Sequence, residues 1–244
     1  MKFPADTYDI KARYAPGLIV ALPFLITFWT CFHDEAKALS GPMGGIISII
    51  VWYLMSVSVR FCGKRIEKSL WMSWGGAPSS ILVSWPDERL GDDLKAKYHK
   101  MVASFLGMPM PARVSQEAGS PEGLHLIDQA FERIKGILRQ YDKNGLWSIA
   151  NAEYGFARNL YGSRLLWLSI SIFMTVLNAA FIYLSYDNLK LLGLILNLLN
   201  VFCCVLVGWR VLPKLTEDIG FRYAEHAWES FCNIAEQSVY KGER

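Results

Sequence analysis

LLWLSISIFMTVLNAAFIYL (residues 165–184), SYDN (185–188) and, two residues on, LLGLILNLLNVFCCVLVGW (191–209) decide the fold of this chain. Neither long run holds a charged residue, and each is about the twenty residues that a helix needs to cross roughly 30 Å of hydrocarbon. Two such runs joined by a short polar turn predict a transmembrane helical hairpin. Thr175, Asn178, Asn197 and Asn200 stand inside the runs, where a polar group is costly unless it faces another helix or a wet path. Ser171, Thr175 and Asn178 recur at three and four residues, as do Asn197, Asn200 and Cys204, so each helix carries a polar stripe along one face. The stripes read either as inter-helix hydrogen bonding or, once several copies assemble, as the lining of a pore.

Two further apolar runs, 15–32 and 43–59, precede the hairpin. The first holds Pro16, suited to a helix's first turn, and Pro23, which would kink its interior. Gly44 and Ser48 open the second with a small-xxx-small pair suited to close helix approach. Lysine and arginine gather at one end of every run: Lys2, Lys11 and Arg13 before the first, Arg60, Lys64, Arg65 and Lys68 after the second, Arg158 and Arg164 before the third, Arg210 and Lys214 after the fourth. The loops around Asp34 and Asp187 are poor in positive charge, and this asymmetry predicts a cytosolic N-terminus, middle segment and C-terminus. The expected fold is an all-α integral membrane protein with four transmembrane helices, N-in and C-in. Its parts are an N-terminal segment and hairpin (1–62), a helical cytosolic domain (63–163), a second hairpin (164–212) and a cytosolic C-terminal helix (213–244). No cleavable signal peptide is expected, because no small-residue cleavage site separates the first run from Asp34-Glu35.

Composition agrees with such a mixture. Hydrophobic residues make up 52% of the chain, charged residues 19%, and the mean hydropathy is +0.22, against about 25% charged residues in a soluble domain. In the middle segment, Gly75-Gly76 and Pro78 predict a sharp turn after Trp71 and Trp74. The apolar piece 81–85 reads as a strand or an extended segment. Leu94, Tyr98, Met101, Val102 and Phe105 recur with helical period from Asp93 until Gly107 and Pro109, and 108–119 reads as a loop. Ser120-Pro121-Glu122 is a helix start with a cap, a proline and a first-turn acid. That helix runs to about Tyr141 and ends at Asn144-Gly145, ahead of an aromatic segment at 146–161. Beyond Pro213 an amphipathic helix is expected over Lys214 to Gln237.

Catalysis finds no support in this sequence. GxSxG, HExxH, Walker and GxGxxG patterns are absent, and His33, His99, His125 and His226 are scattered without metal-ligand spacing. The acids Asp87-Glu88 and Asp92-Asp93 stand where they complement a helix dipole. No enzyme, cofactor or metal is expected, and Cys31, Cys62, Cys203, Cys204 and Cys232 read as reduced packing residues. Two basic groups stand out in the middle segment: Lys95, Lys97 and Lys100, expected on the exposed side of one helix, and Arg133, Lys135, Arg139 and Lys143 on the next, with Arg158 nearer the third run. They read as a solvated face balanced by Asp128, Glu132 and Asp142, or as a groove for an anionic ligand, with Tyr98, Trp147 or Tyr154 to stack on bases.

Three short motifs carry a resemblance. YDIKARYAP (8–16) precedes the first run, LW (70–71) and WGGAP (74–78) follow the second, and NAEYGFARNL (151–160) precedes the third. With the four-helix layout, they resemble a family of small bacterial membrane proteins from defence islands, the membrane effectors of Hailong anti-phage systems among them. The resemblance implies a homo-oligomeric, tetrameric, channel-like effector of the bacterial inner membrane. Its cytosolic part would bind a nucleotide or a single-stranded DNA oligomer made by a partner nucleotidyltransferase, and it would disrupt the membrane of infected cells. The rival expectation is a non-conducting membrane scaffold or sensor that recruits a cytosolic partner protein.

Overall fold

The computed structural model describes residues 7–32, 42–117, 121–142 and 145–240, and every regular element among them is helical. A helical turn at Thr7–Asp9 and a π-helical turn at Ile10–Tyr14 lead into α1 (Ala15–Cys31). Then follow α2 (Pro42–Trp74), α3 (Pro78–Ile81), α4 (Asp92–Leu106), α5 (Arg113–Glu117), α6 (Pro121–Tyr141), α7 (Leu146–Gly162), α8 (Arg164–Leu184) and α9 (Asn188–Leu206). A second π-helical turn, Val207–Val211, carries α9 into α10 (Leu212–Tyr240). Four stretches, Ile10–Cys31, Gly44–Ile81, Arg164–Leu184 and Asn188–Ser238, are long and apolar enough to cross a membrane, which fits a multi-pass membrane protein. The polar loop around Asp34 and the caps Ser120 and Asn144 lie outside the described residues.

The chain forms two compact units. One comprises Met1–Glu67 and Gly155–Thr216, the other Lys68–Tyr154 and Glu217–Arg244. The C-terminal helix, expected as a separate part, thus contributes most of its length to the same unit as the middle segment.

In the first unit α1, α8 and α9 pack on one another around a core of Val20, Val59, Leu160, Trp167, Cys204 and Leu212. Glycines set how closely helices approach. A Cβ on Gly17 would come 2.7 Å from Ser56 Cα, and one on Gly162 would come 2.7 Å from Gly63 Cα, so any side chain at either position would force α1 from α2 or α7 from α2.

A proline dictates the polar chemistry here. Pro16 has no N–H, so the Ala12 carbonyl four residues back loses its helical donor. The chain responds with the wider π register, in which the Ala15 N–H bonds the Ile10 carbonyl, and with a side chain: Asn159 Nδ2 donates to Ala12 O at 2.7 Å. Asn159 is 1% exposed. Its Oδ1 accepts from Arg158 Nε and Nη2 at 3.4 and 3.3 Å, and Arg158 Nη1 donates to Glu67 Oε1 at 2.5 Å. Gly63 makes room for this knot, since a Cβ there would stand 2.7 Å from Asn159 Cα.

The same device removes an expected boundary. Pro213 is the expected boundary between membrane run and C-terminal helix, yet α9 continues into α10 because the Leu212 N–H bonds Val207 O one residue further back than in an α-helix, which opens the turn around the proline ring. Likewise α1 runs through Pro23 as one helix.

The second unit encloses Val83, Tyr98, Val102, Ile127, Ile134, Leu138 and Phe231 around Trp228. Trp228 is fully buried, stacked on Tyr98 at 5.7 Å between centroids, and its Nε1 donates to Ser79 O at 2.8 Å. Gly75 and Gly76, at φ of 91° and 147°, end α2 in backbone that only glycine adopts freely. The piece 81–85 is not a strand: no strand exists among the described residues to pair with it, and Ala77 O instead accepts the Ser80 and Ile81 N–H groups of a helical turn. The expected loop 108–119 contains α5.

Asn159→Leu would strand the Ala12 carbonyl and remove one acceptor from the Arg158 guanidinium. The expected cost is about 2 kcal/mol, read as a fall of roughly 4 to 8 °C in the thermal midpoint of the purified full chain. An unchanged midpoint would show that the knot is not needed for stability.

Candidate functional site

All four expected polar residues of the hairpin, Thr175, Asn178, Asn197 and Asn200, lie along α8 and α9, and α1 meets two of them with a polar stripe of its own. Asn178 and Asn197 are both 0% exposed. Asn197 Nδ2 donates to Thr27 Oγ1 at 2.8 Å, and Cys31 Sγ donates to Asn178 Oδ1 at 2.9 Å. One turn further along α9, Asn200 Oδ1 accepts from Trp167 Nε1 at 2.8 Å, with the Ser171 hydroxyl 2.9 Å from the same oxygen. Thr175 returns its hydroxyl to Ser171 O at 2.7 Å, which spends it within its own helix. The partners on α1, Thr27 and Cys31, were not picked out from the sequence. The available signal is their spacing of four, with Thr30 between, inside an otherwise apolar run.

This seam is incompletely paired. Asn178 Nδ2 and Asn197 Oδ1 are buried and have no hydrogen-bond partner among the described residues. They leave one donor and one acceptor open in the interior of the three-helix packing. Gly193, one turn before Asn197 on α9, keeps the space beside the free donor open, since a Cβ there would come 2.8 Å from Asn178 Nδ2. Buried polar groups are ordinarily satisfied, and these two half-used amides leave the seam with unmet hydrogen-bonding capacity.

The basic residues divide sharply. Lys95, expected on an exposed face, is 1% exposed. Its ammonium donates to the carbonyls of Trp85 and Asp87, because it sits in the first turn of α4 and reaches back over the preceding loop. Arg158 belongs to the Asn159–Glu67 knot of the first unit and is likewise buried. Lys97 pairs with Glu236 at 2.9 Å, which holds its pKa above the usual value, and Lys135 pairs with Glu132 at 2.5 Å. Lys100, Arg133 and Arg139 are exposed with no carboxylate partner among the described residues. Lys143 lies outside the described residues.

The aromatic residues expected to stack on bases are core residues. Tyr98, Trp147 and Tyr154 are each about 5% exposed or less, and burial pushes the Tyr98 hydroxyl up to about 12. Tyr154 stacks on Tyr223 at 5.5 Å and its hydroxyl accepts from Trp71 Nε1 at 3.0 Å. In the second unit a cleft of about 310 Å³ is lined by Arg89, Arg222, Glu217, Asp218 and Glu225 beside Phe221. The Arg89 guanidinium lies 3.8 Å from the Phe221 ring centroid and pairs with Asp87 at 2.5 Å. Acids outnumber the two arginines in this cleft, so it does not favour a polyanion.

His99 is a core residue as well. Its Nε2 lies 2.8 Å from Val83 O and its ring meets Trp85 edge-on at 5.0 Å. Burial lowers its pKa below the ordinary 6.5.

Comparison of the chain with protein-family models, with curated proteins and with solved structures finds no match.

A histidine held neutral by the fold stabilises it above its unfolded pKa, and that contribution is lost as pH falls below about 6.5. The thermal midpoint of the wild-type chain is therefore expected to drop more between about pH 7.5 and about pH 5.5 than that of His99→Gln. Equal drops would mean that His99 does not titrate on unfolding.

Proposed function

We propose that this chain is a channel-like effector of a bacterial inner membrane, with its N-terminus, second unit and C-terminus in the cytosol, whose polar seam is held closed until an anionic ligand acts on the cytosolic unit. The observation that carries this reading is the seam itself. Its amides are matched across α1, α8 and α9, yet Asn178 and Asn197 each keep one hydrogen-bonding half unused. Opening the seam would break the Cys31–Asn178, Thr27–Asn197, Trp167–Asn200 and Ser171–Asn200 bonds. At about 0.6 kcal/mol for an average inter-helix hydrogen bond in a membrane protein, that costs about 2 kcal/mol. A ligand that binds the two states with a difference of about 5.5 kcal/mol moves such an equilibrium from almost wholly closed to almost wholly open. The orientation rests on the lysine and arginine clusters at four helix ends. The defence role, the tetramer and the oligonucleotide made by a partner nucleotidyltransferase rest on the resemblance of the three sequence motifs. No residue is assigned a catalytic role.

One observation favours the second reading, a non-conducting scaffold or sensor. Asn178 and Asn197 are fully enclosed within a single chain, whereas a pore lining formed between copies would leave them exposed in each.

Ion flux from vesicles holding the purified chain separates the two. The channel reading expects flux with the wild type, and a loss of at least about tenfold in Asn197→Leu, since a leucine removes the polar surface an ion or water needs. Full flux in Asn197→Leu would remove the seam as the path, and no flux from the wild type with or without oligonucleotide would favour the scaffold.

Ligand binding has a separate readout. With Lys100, Arg133 and Arg139 as the phosphate contacts, the affinity for a labelled single-stranded DNA oligomer is expected to fall with salt at a log–log slope of about −2, about −0.7 for each of three contacts. Replacing all three by Gln flattens that slope, and an unchanged slope places the contacts elsewhere.

A further inference from the structure

The ends of the helices in the first unit hold more positive charge than the fold uses. The described acids of this unit are Asp9, Glu67 and Asp187. Asp9 pairs with Arg13 at 3.0 Å and Glu67 with Arg158 at 2.5 Å. Lys11, Arg60, Lys64, Arg65, Arg210 and Lys214 are exposed and have no carboxylate partner among the described residues.

Contacts place these six at one end of the helical packing. The turn holding Lys11 meets α7 through Ala12 and Asn159. The stretch 60–65 meets α7 through Gly63 and Asn159. Further along, Gly208 lies beside Arg164 at the start of α8, with 3.3 Å from its Cβ position to Arg164 Cβ. Arg164 itself is set in an aromatic box, its guanidinium 4.1 Å from the Tyr161 ring centroid and 5.7 Å from that of Trp209. Asp187, the remaining described acid of this unit, stands beyond the far end of α8 and caps α9 by accepting the Leu189 N–H.

The neighbours of these cations are apolar and exposed. Phe61 is 66% exposed beside Arg60, Leu165 is 63% exposed beside Arg164, and Trp209 and Val211, at 40% and 46%, flank Arg210. A soluble polyanion offers phosphate without anything to cover that surface. A glycerophospholipid offers both, a phosphate at the level of the cations and acyl chains below it.

We propose that this cationic end of the first unit is a binding surface for anionic phospholipid headgroups, selecting phosphatidylglycerol-type lipid over zwitterionic lipid. The proposal rests on the helices of this unit spanning a bilayer. It does not depend on conduction or on an oligonucleotide.

The test uses the full chain in vesicles of phosphatidylcholine with spin-labelled phosphatidylglycerol or spin-labelled phosphatidylcholine as probe, read by electron paramagnetic resonance. At low salt the labelled phosphatidylglycerol is expected to be enriched about two- to fivefold over phosphatidylcholine in the motionally restricted fraction, falling toward parity in about 1 M salt, where screening acts within about 3 Å. The variant with Arg60, Lys64, Arg65, Arg210 and Lys214 all changed to Gln is expected to show parity at low salt. The variant with Arg60→Lys, Arg65→Lys and Arg210→Lys keeps the enrichment, as does Lys190→Gln at the opposite end of the hairpin. Parity in the wild type, or enrichment undiminished in the five-Gln variant, would overturn the proposal. Absence of any restricted fraction for either probe would overturn the membrane reading itself and this proposal with it.

Discussion

A carbonyl without a donor shapes the first unit of this protein. Pro16 deprives Ala12 O of its helical partner, and Asn159 replaces it from another helix. Once that amide is committed, its oxygen needs a donor, Arg158 provides one, and the buried guanidinium in turn requires Glu67. Each step follows from the cost of leaving a polar group unpaired away from water. The knot fits only because Gly63 and Gly162 bring α2 and α7 to backbone contact. A helix-breaking residue at the entrance of α1 thus ties three helices together and explains why NAEYGFARNL pairs an arginine with an asparagine just ahead of α8.

The same economy governs the interior of the hairpin. Three polar stripes meet, and most of their hydrogen bonds are spent within one chain. The two amide halves left over give the seam a latent polarity, small in energy and enclosed.

Much of the architecture was legible because it depends on length and period. Runs of about twenty uncharged residues mark the membrane helices, and the recurrence of Leu94, Tyr98 and Val102 marks α4. What escaped the sequence depends on contacts and backbone register that spacing does not reveal. Lys95 reads as one more exposed lysine until two loop carbonyls are seen to enclose its ammonium. Pro213 reads as a break until the π-helical turn before it absorbs the ring. Tyr98, Trp147 and Tyr154 read as stacking platforms, since an aromatic side chain serves a core and a surface equally well in one dimension, and only the packing against Trp228 and Tyr223 distinguishes them. Of the candidate site, Asn178, Asn197 and Asn200 were visible as amides in apolar runs, whereas Thr27 and Cys31 acquire meaning only opposite them.

The proposed function requires the first unit to cross a bilayer with its cationic helix ends on the cytosolic face. Labelling with a membrane-impermeant maleimide tests this most directly, comparing Tyr186→Cys in the hairpin turn with Lys214→Cys at the cationic end, each against the background of the native cysteines. The account predicts that Tyr186→Cys is labelled in intact spheroplasts and Lys214→Cys only after the membrane is permeabilised. Equal labelling of both positions in intact spheroplasts, or labelling of Lys214→Cys alone, would contradict it.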